Sequence, residues 1–207
     1  MQNRIVPERC CGVLIDVQSF FLEQVDARLR AKIVRGTTNF VRLLGHFTIP
    51  VMVTLEIPVA KKGSLPQEIK DCLSNPSETF EKDFFDLCRE EKITDRLRSL
   101  KKKQVILVGC ETDVCVLQSC LGLLELGYEV YVVEDLLFSS SVKVDAALAR
   151  MTAAGATFLT YKTLYYELAQ SVQGCGKFPA LPDDLHNSAD DAPESGAAQA
   201  SSHTRHA

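Results

Sequence analysis

The 207-residue sequence predicts an α/β protein: a three-layer α-β-α sandwich around a mostly parallel sheet. Short β-branched runs alternate with longer stretches of helical periodicity, the pattern of parallel strands joined by crossover helices. The length, near 200 residues, suits one domain with a real core and a tail beyond it. A composition of 46% hydrophobic and 24% charged residues is that of an ordinary globular chain and excludes wholesale disorder.

The elements follow in order. Gly12-Val13-Leu14-Ile15-Asp16 reads as a first strand ending in a carboxylate. From Ala27 to Phe47, the apolar positions Leu29, Ile33, Phe40, Val41 and Leu44 form one helical face. Pro50 to Leu55 is a second strand; Pro58 to Glu78, with Gly63, Pro66 and Pro76, reads as loop with one helical turn at most. Gln104 to Gly109 is a buried strand, and Asp113 to Leu126 a helix running into Gly127, a good C-terminal stop. Then come a strand at Glu129–Val133, a helix at Val142–Ala154, a short strand at Thr157–Thr160 and a last helix at Leu164–Val172. Residues 1–180 form the expected domain. Residues 181–207, rich in Ser, Ala, Asp, Asn and Gly, bury too little apolar surface to offset their ordering entropy and are expected to be disordered.

Composition narrows the chemistry. With 23 basic and 27 acidic side chains the net charge is −4, which argues against a nucleic-acid binder held by phosphate neutralisation. The N-terminal stretch lacks a signal peptide's apolar run, and the longest apolar runs fall short of the ~20 residues that span a bilayer. The expectation is a cytoplasmic protein with free thiols and no membrane or nucleic-acid partner. Of four histidines, His186, His203 and His206 lie in the tail, and no Cys-x-x-Cys pair exists among eight cysteines, so zinc is disfavoured. Neither G-x-G-x-x-G nor G-x-x-x-x-G-K-[ST] follows any strand, which argues against a nucleotide site.

In open parallel sheets the functional crevice lies outside the C-terminal strand ends. That rule selects Asp16, the segment Gly109 to Cys115, and Glu134-Asp135. Cys115 falls near the first turn of a helix, where unpaired N–H groups and the helix dipole favour a thiolate and can bind an oxyanion. Position alone does not separate a nucleophile from one more buried thiol. Cys110 and Cys120 read as packing residues, and His46 as a helix C-terminal cation or surface residue. If Cys115 is a nucleophile, its base must be a carboxylate, and Asp16 is the best placed. A neighbouring ammonium would lower the pKa of both groups.

Three motifs then carry a resemblance. Asp16-Val17-Gln18-Ser19-Phe20-Phe21 resembles D-x-Q-x-x-F after a first strand; Phe80-Glu81-Lys82-Asp83-Phe84-Phe85 resembles a lysine-bearing segment; Gly109-Cys110-Glu111-Thr112-Asp113-Val114-Cys115-Val116 resembles G-x-x-[TAS]-x-x-C-V. Gly127-Tyr128-Glu129-Val130 and Glu134-Asp135 follow in register. From Cys11 to about Val172 the chain thus resembles the isochorismatase-like cysteine hydrolase superfamily, which includes nicotinamidases and N-carbamoylsarcosine amidohydrolases. The resemblance implies a Rossmann-like sheet and a triad of Asp16, Lys82 and Cys115. Asp16 would take the thiol proton and pass it to the leaving group, Lys82 would stabilise the thiolate, and Cys115 would form a thioester. It further implies a cis peptide between Cys110 and Glu111 that aims the Glu111 and Cys115 N–H groups at an oxyanion. Gln18, Phe20 and Thr112 would contact a small amide or imide substrate, and the assembly would be a homo-oligomer.

Departures bear on the substrate. Nicotinamidases carry an Asp and histidines as metal ligands after the second strand; here Thr54 to Lys62 holds no histidine, so neither a metal nor another cofactor is expected. Isochorismatases proper lack the cysteine, which disfavours vinyl-ether hydrolysis. Glu111 resembles the isochorismatase domain-containing subgroup, where it would narrow the pocket, repel anions or point away. Lys61 to Glu78 is expected to lid the site. A catalytically idle scaffold and a thiol-reactive redox protein are the alternatives.

Overall fold

In the computed structural model, residues 4–74 and 78–175 are described. Six strands, β1 (Cys10–Ile15), β2 (Val51–Glu56), β3 (Thr79–Lys82), β4 (Gln104–Gly109), β5 (Glu129–Leu137) and β6 (Thr157–Leu159), form one sheet in the order β3-β2-β1-β4-β5-β6. Every neighbouring pair is parallel. The central strands are buried on both faces, as parallel strands sandwiched between helices must be. Cys10, Leu14, Val53, Ile106, Val108, Tyr131 and Val133 meet one helical layer, while Cys11, Val13, Ile15, Met52, Val105, Leu107, Val130 and Val132 meet the other. This is the two-residue alternation of a strand, with core on either side.

The first layer holds α2 (Ala27–His46) and α8 (Tyr161–Ala169), which contribute Ile33, Phe40, Leu44, Leu164 and Leu168. Asp26 caps α2, its carboxylate accepting from Arg28 N and Leu29 N at 2.9 Å each. The second layer holds α5 (Glu91–Leu100), α6 (Leu117–Glu125) and α7 (Asp145–Ala154), with Ile93, Leu97, Cys120, Leu123 and Met151 inward. The short helices α1 (Ser19–Leu22), α3 (Val59–Lys62), α4 (Gln67–Lys70) and α9 (Val172–Cys175) complete the set. The fold class is the one expected.

Several boundaries differ. The region read as loop at 58–78 contains two helical turns, α3 and α4. Strand β3 and helix α5 are additions. Of the four residues of β3 only Lys82 is fully buried, so no apolar alternation marks it. The apolar stripe of α5 is short, with Ile93 and Leu97 buried and Leu100 partly buried in an otherwise charged helix. The helix expected from Asp113 is a π-helical turn (Thr112–Val116) leading into α6. Strand β5 runs four residues past Val133, which places Glu134 and Asp135 within it rather than at its end. Asp135 accepts the Tyr161 N–H at 2.8 Å, and α8 begins three residues earlier than its periodicity indicated, behind a Thr160 cap. The tail, residues 181–207, lies outside the described residues. Among those described, no helix is long and apolar enough to cross a membrane.

Candidate active site

Four adjacent strands, in the order β3-β2-β1-β4, end at the same edge of the sheet. Register brings their last residues side by side: Ile15 pairs with Thr54 and with Gly109, and Glu56 pairs with Lys82. The close approach of β4 to β1 requires a glycine. Gly109 has φ +121°, and a Cβ there would stand 2.0 Å from the Ile15 carbonyl oxygen. The next peptide, Cys110–Glu111, is cis, as is Ile57–Pro58 just after β2.

Asp16, Lys82 and Cys115 meet at this edge, almost sealed from solvent at 0%, 1% and 2% exposure. The Asp16 carboxylate accepts the Thr54 hydroxyl on Oδ1 at 2.8 Å and pairs with Lys82 Nζ through Oδ2 at 2.7 Å. Lys82 also donates to Cys115 Sγ at 3.5 Å. A fourth group joins them that sequence reasoning passed over. Glu56, 9% exposed, accepts the Cys115 S–H on Oε2 at 3.1 Å, with Lys82 Nζ 3.9 Å from the same oxygen. Its Oε1 is held by the Lys62 ammonium from α3. Glu56, the last residue of β2, satisfies the strand-end rule as Asp16 does.

Gln18 is fully buried and engaged with backbone. Its carbonyl accepts Glu56 N–H at 2.7 Å, and its amide donates to the Glu56 and Gly63 carbonyls at 3.2 and 2.8 Å. It thereby fixes both Glu56 and the far end of α3. Thr112 gives its N–H and its hydroxyl to the Phe138 carbonyl, both at 3.1 Å. Phe20 is exposed and packs edge-on against Phe21 at 5.2 Å. Glu111 turns toward the loop after β5, where it accepts the Ser140 N–H at 3.1 Å. Cys110 is fully buried and its thiol donates to the Asp16 carbonyl at 3.0 Å. His46 is exposed at the end of α2.

Electrostatics bears on the Cys115 thiol. Burial, then the Asp16 and Glu56 carboxylates, push the Cys115 thiol well above the ordinary range, and Lys82 offsets only part of this. This direction is opposite to the acidic thiol expected at a helix start. Burial alone raises Cys120 to about 12, so a high pKa does not distinguish Cys115; its charged neighbours do. Burial raises Asp16, against the pull of Lys82. Burial also acts upward on Glu56, but Lys62, the Cys115 S–H and Lys82 together hold it below the usual carboxylate value. Lys82 loses by burial, yet Asp16, Cys115 and Glu56 keep its ammonium firmly protonated. By ligand type, Asp16, Glu56 and Cys115, whose donor atoms lie within 4.8 Å of one another, suit a metal ion. In this structure the positive charge among them is the Lys82 ammonium.

Known proteins resemble this chain in both sequence and fold. A secreted isochorismatase effector, Isc1, of Phytophthora sojae is 32% identical over 171 residues, covering 81% of this chain and 80% of its own. A solved structure titled MAR1 ribonuclease, from Caenorhabditis elegans, superposes with a TM-score of 0.74 at 28% identity, covering 96% of this chain and 99% of that one. YcaC from Pseudomonas aeruginosa, solved with hexane-2,5-diol and covalent acrylamide, gives 0.74 at 26% identity, covering 85% and 90%. The family model described as Isochorismatase domain matches residues 10–163, and with that match over most of the folded chain the protein belongs to the isochorismatase family.

Proposed function

We propose that this chain is a hydrolase that cleaves a small amide- or imide-type C–N bond through a thioester on Cys115, without a metal or other cofactor. One observation carries the reading: the Cys115 sulfur touches a buried ammonium at 3.5 Å and a carboxylate at 3.1 Å. A thiol so placed can lose its proton to a carboxylate as it attacks, while Lys82 balances the negative charge that forms on sulfur. The resemblance gives the base role to Asp16. The N–H groups of Glu111 and Cys115 are assigned to the oxyanion of the tetrahedral intermediate. Water then hydrolyses the thioester and restores the thiol. The covalent acrylamide named with YcaC supports a reactive group in that relative, acrylamide being an electrophile that thiols add to.

Two other readings receive less support. A scaffold has no need of four ionisable or nucleophilic groups in mutual contact in a sealed site. The name ribonuclease, borne by the Caenorhabditis elegans relative among others, implies a phosphodiester; here Lys62 and Lys82 each face a carboxylate rather than an open anion site. The test is a panel of small amides, imides and ureido compounds, read by released ammonia or amine and by intact mass for an acyl adduct. Turnover that Cys115→Ala abolishes, with an adduct mapped to Cys115, is the expected result. Turnover unchanged in Cys115→Ala refutes the reading.

A further inference from the structure

In the resting site Glu56 Oε2 accepts the Cys115 S–H at 3.1 Å, while Lys82 Nζ stands at 3.9 Å, beyond hydrogen-bond range. The other oxygen, Oε1, is held by Lys62, and Gln18 clamps the Glu56 backbone at its N–H and its carbonyl. The carboxylate is therefore fixed beside the sulfur. Thiol attack removes the donor on Oε2. The S–H bond breaks as the sulfur lone pair forms the bond to carbon, and the proton goes to Asp16, the second carboxylate that hydrogen-bonds this thiol. Oε2 is then a buried anionic oxygen without a donor, which is costly unless the substrate supplies one. The nitrogen of an amide lies one bond from the attacked carbon. An N–H there comes within reach of an oxygen that already stands 3.1 Å from Sγ.

We infer that Glu56 is a specificity-determining residue: it selects substrates that carry an N–H on the carbon attacked by Cys115, over esters and fully substituted amides. This rests on the hydrolase reading, keeps Asp16 as the base and gives Glu56 no proton to transfer. As the sulfur bonds to carbon, the carbonyl π pair moves to oxygen. That pair re-forms the carbonyl as the leaving group departs with the proton from Asp16. Glu56 accepts a hydrogen bond throughout and stays a carboxylate. The selection acts on the transition state. Before attack Oε2 is occupied by the S–H and gains nothing from the substrate; during attack the substrate N–H takes the vacated oxygen. A substrate with no N–H leaves that oxygen bare at the same moment, so the discrimination falls on the rate of acylation more than on binding.

The test uses the full chain and three acylating probes that share p-nitrophenolate as leaving group. p-Nitrophenyl N-methylcarbamate places an N–H on the attacked carbon; the N,N-dimethylcarbamate, which is larger, and the acetate, which is smaller, do not. Release of p-nitrophenolate at pH 7 gives the rates, and mass spectrometry maps the adducts. Each rate is divided by that of N-acetylcysteine amide with the same probe, which removes differences in intrinsic reactivity. Wild type is expected to prefer the N–H probe over both others by about a hundredfold. In Glu56→Met, which keeps the side-chain length but offers no oxygen, the preference should fall to about threefold or less. In Glu56→Gln, whose carbonyl accepts without a charge, it should fall to about tenfold. The preference is a ratio within one preparation, so an inactive fraction cancels from it. If Glu56→Met reacts with none of the probes, the Glu56→Gln ratio decides, and an undiminished one overturns the inference. No preference in wild type, or full preference in Glu56→Met, also overturns it and leaves the hydrolase reading standing, because Cys115 is still acylated. Rates unchanged in Cys115→Ala, or no adduct on Cys115 with any probe, overturn both.

Discussion

Replacing Lys82 by methionine keeps the stem of the side chain and removes only the ammonium. In the wild type that ammonium lies 2.7 Å from Asp16 Oδ2, where two unit charges attract by about 6 kcal/mol at an effective dielectric constant near 20. Desolvation of both groups offsets part of this, and removal of one partner of a buried pair costs about 3–5 kcal/mol. Asp16 has an escape: it can take up a proton. At pH 7, protonating a carboxyl of ordinary pKa near 3.9 costs about 4 kcal/mol, and at pH 5 about 1.5 kcal/mol, which caps the penalty at each pH. The sign follows from the direction of the shift. Burial already raises Asp16 in the folded state, and losing Lys82 raises it further. A carboxyl raised on folding stabilises most below its unfolded pKa, and that contribution fades as pH rises through the folded value. The loss in Lys82→Met should therefore be about 3–4 kcal/mol at pH 7 and shrink by at least half at pH 5. Urea unfolding of wild type and variant at both pH values, compared by midpoint at constant slope, measures it. Asp16→Asn combined with Lys82→Met should recover most of the loss. A penalty under about 1 kcal/mol at pH 7, or one that does not change by pH 5, refutes the buried ion pair as the main electrostatic element of the site.

Further expectations concern its surroundings. Gly109→Ala sets a Cβ against the Ile15 backbone, which cannot rotate aside, so stability should fall by about 2 kcal/mol or more and alkylation of Cys115 should lose its dependence on Lys82; thermal denaturation and iodoacetamide kinetics check both. Gln18→Ala strands the Glu56 N–H and frees the end of α3, a loss of about 1–3 kcal/mol by urea unfolding, with faster hydrogen exchange at residues 56–63. Glu56, held low in the folded state, contributes stability that is present above its unfolded pKa and lost as pH falls through its folded one. The stability gap between wild type and Lys62→Met should accordingly be wider at pH 7 than at pH 3.5, and an equal gap contradicts the pairing. Phe20, Phe84 and Phe85 stay exposed on the isolated chain, and sedimentation equilibrium should find a homo-oligomer; a monomer at micromolar concentration opposes that expectation.

The sheet was legible because its central strands are buried on both sides and read as unbroken apolar runs, Gln104 to Gly109 most clearly. Strand β3 was not, because an edge strand with one buried residue has no pattern for periodicity to find. Asp16, Lys82 and Cys115 came from motif resemblance, and position independently selected Asp16 and Cys115 at strand ends. Glu56 obeys the same positional rule, yet a glutamate after a strand is commonplace until a sulfur is found 3.1 Å away. The protonation state of Cys115 was beyond the sequence for a different reason. The helix-end argument is local, whereas what opposes it is burial first and then the carboxylates of Asp16 and Glu56, which lie 99 and 59 residues earlier in the chain.

Lys82 has one further property, set by where it hangs. It is the last residue of a four-residue strand at the border of the sheet, and among the described residues no further strand pairs with the outer side of that strand. Strands of this kind open by local fluctuation at free energies well below that of whole-molecule unfolding. Each such opening withdraws the ammonium while β1, β2 and β4 stay paired and the sulfur keeps its place. Mild denaturant should then silence the chemistry before any spectroscopic change in the sheet, and a ligand that bridges β3 to its neighbours should act as a stabiliser of the active form rather than of the fold.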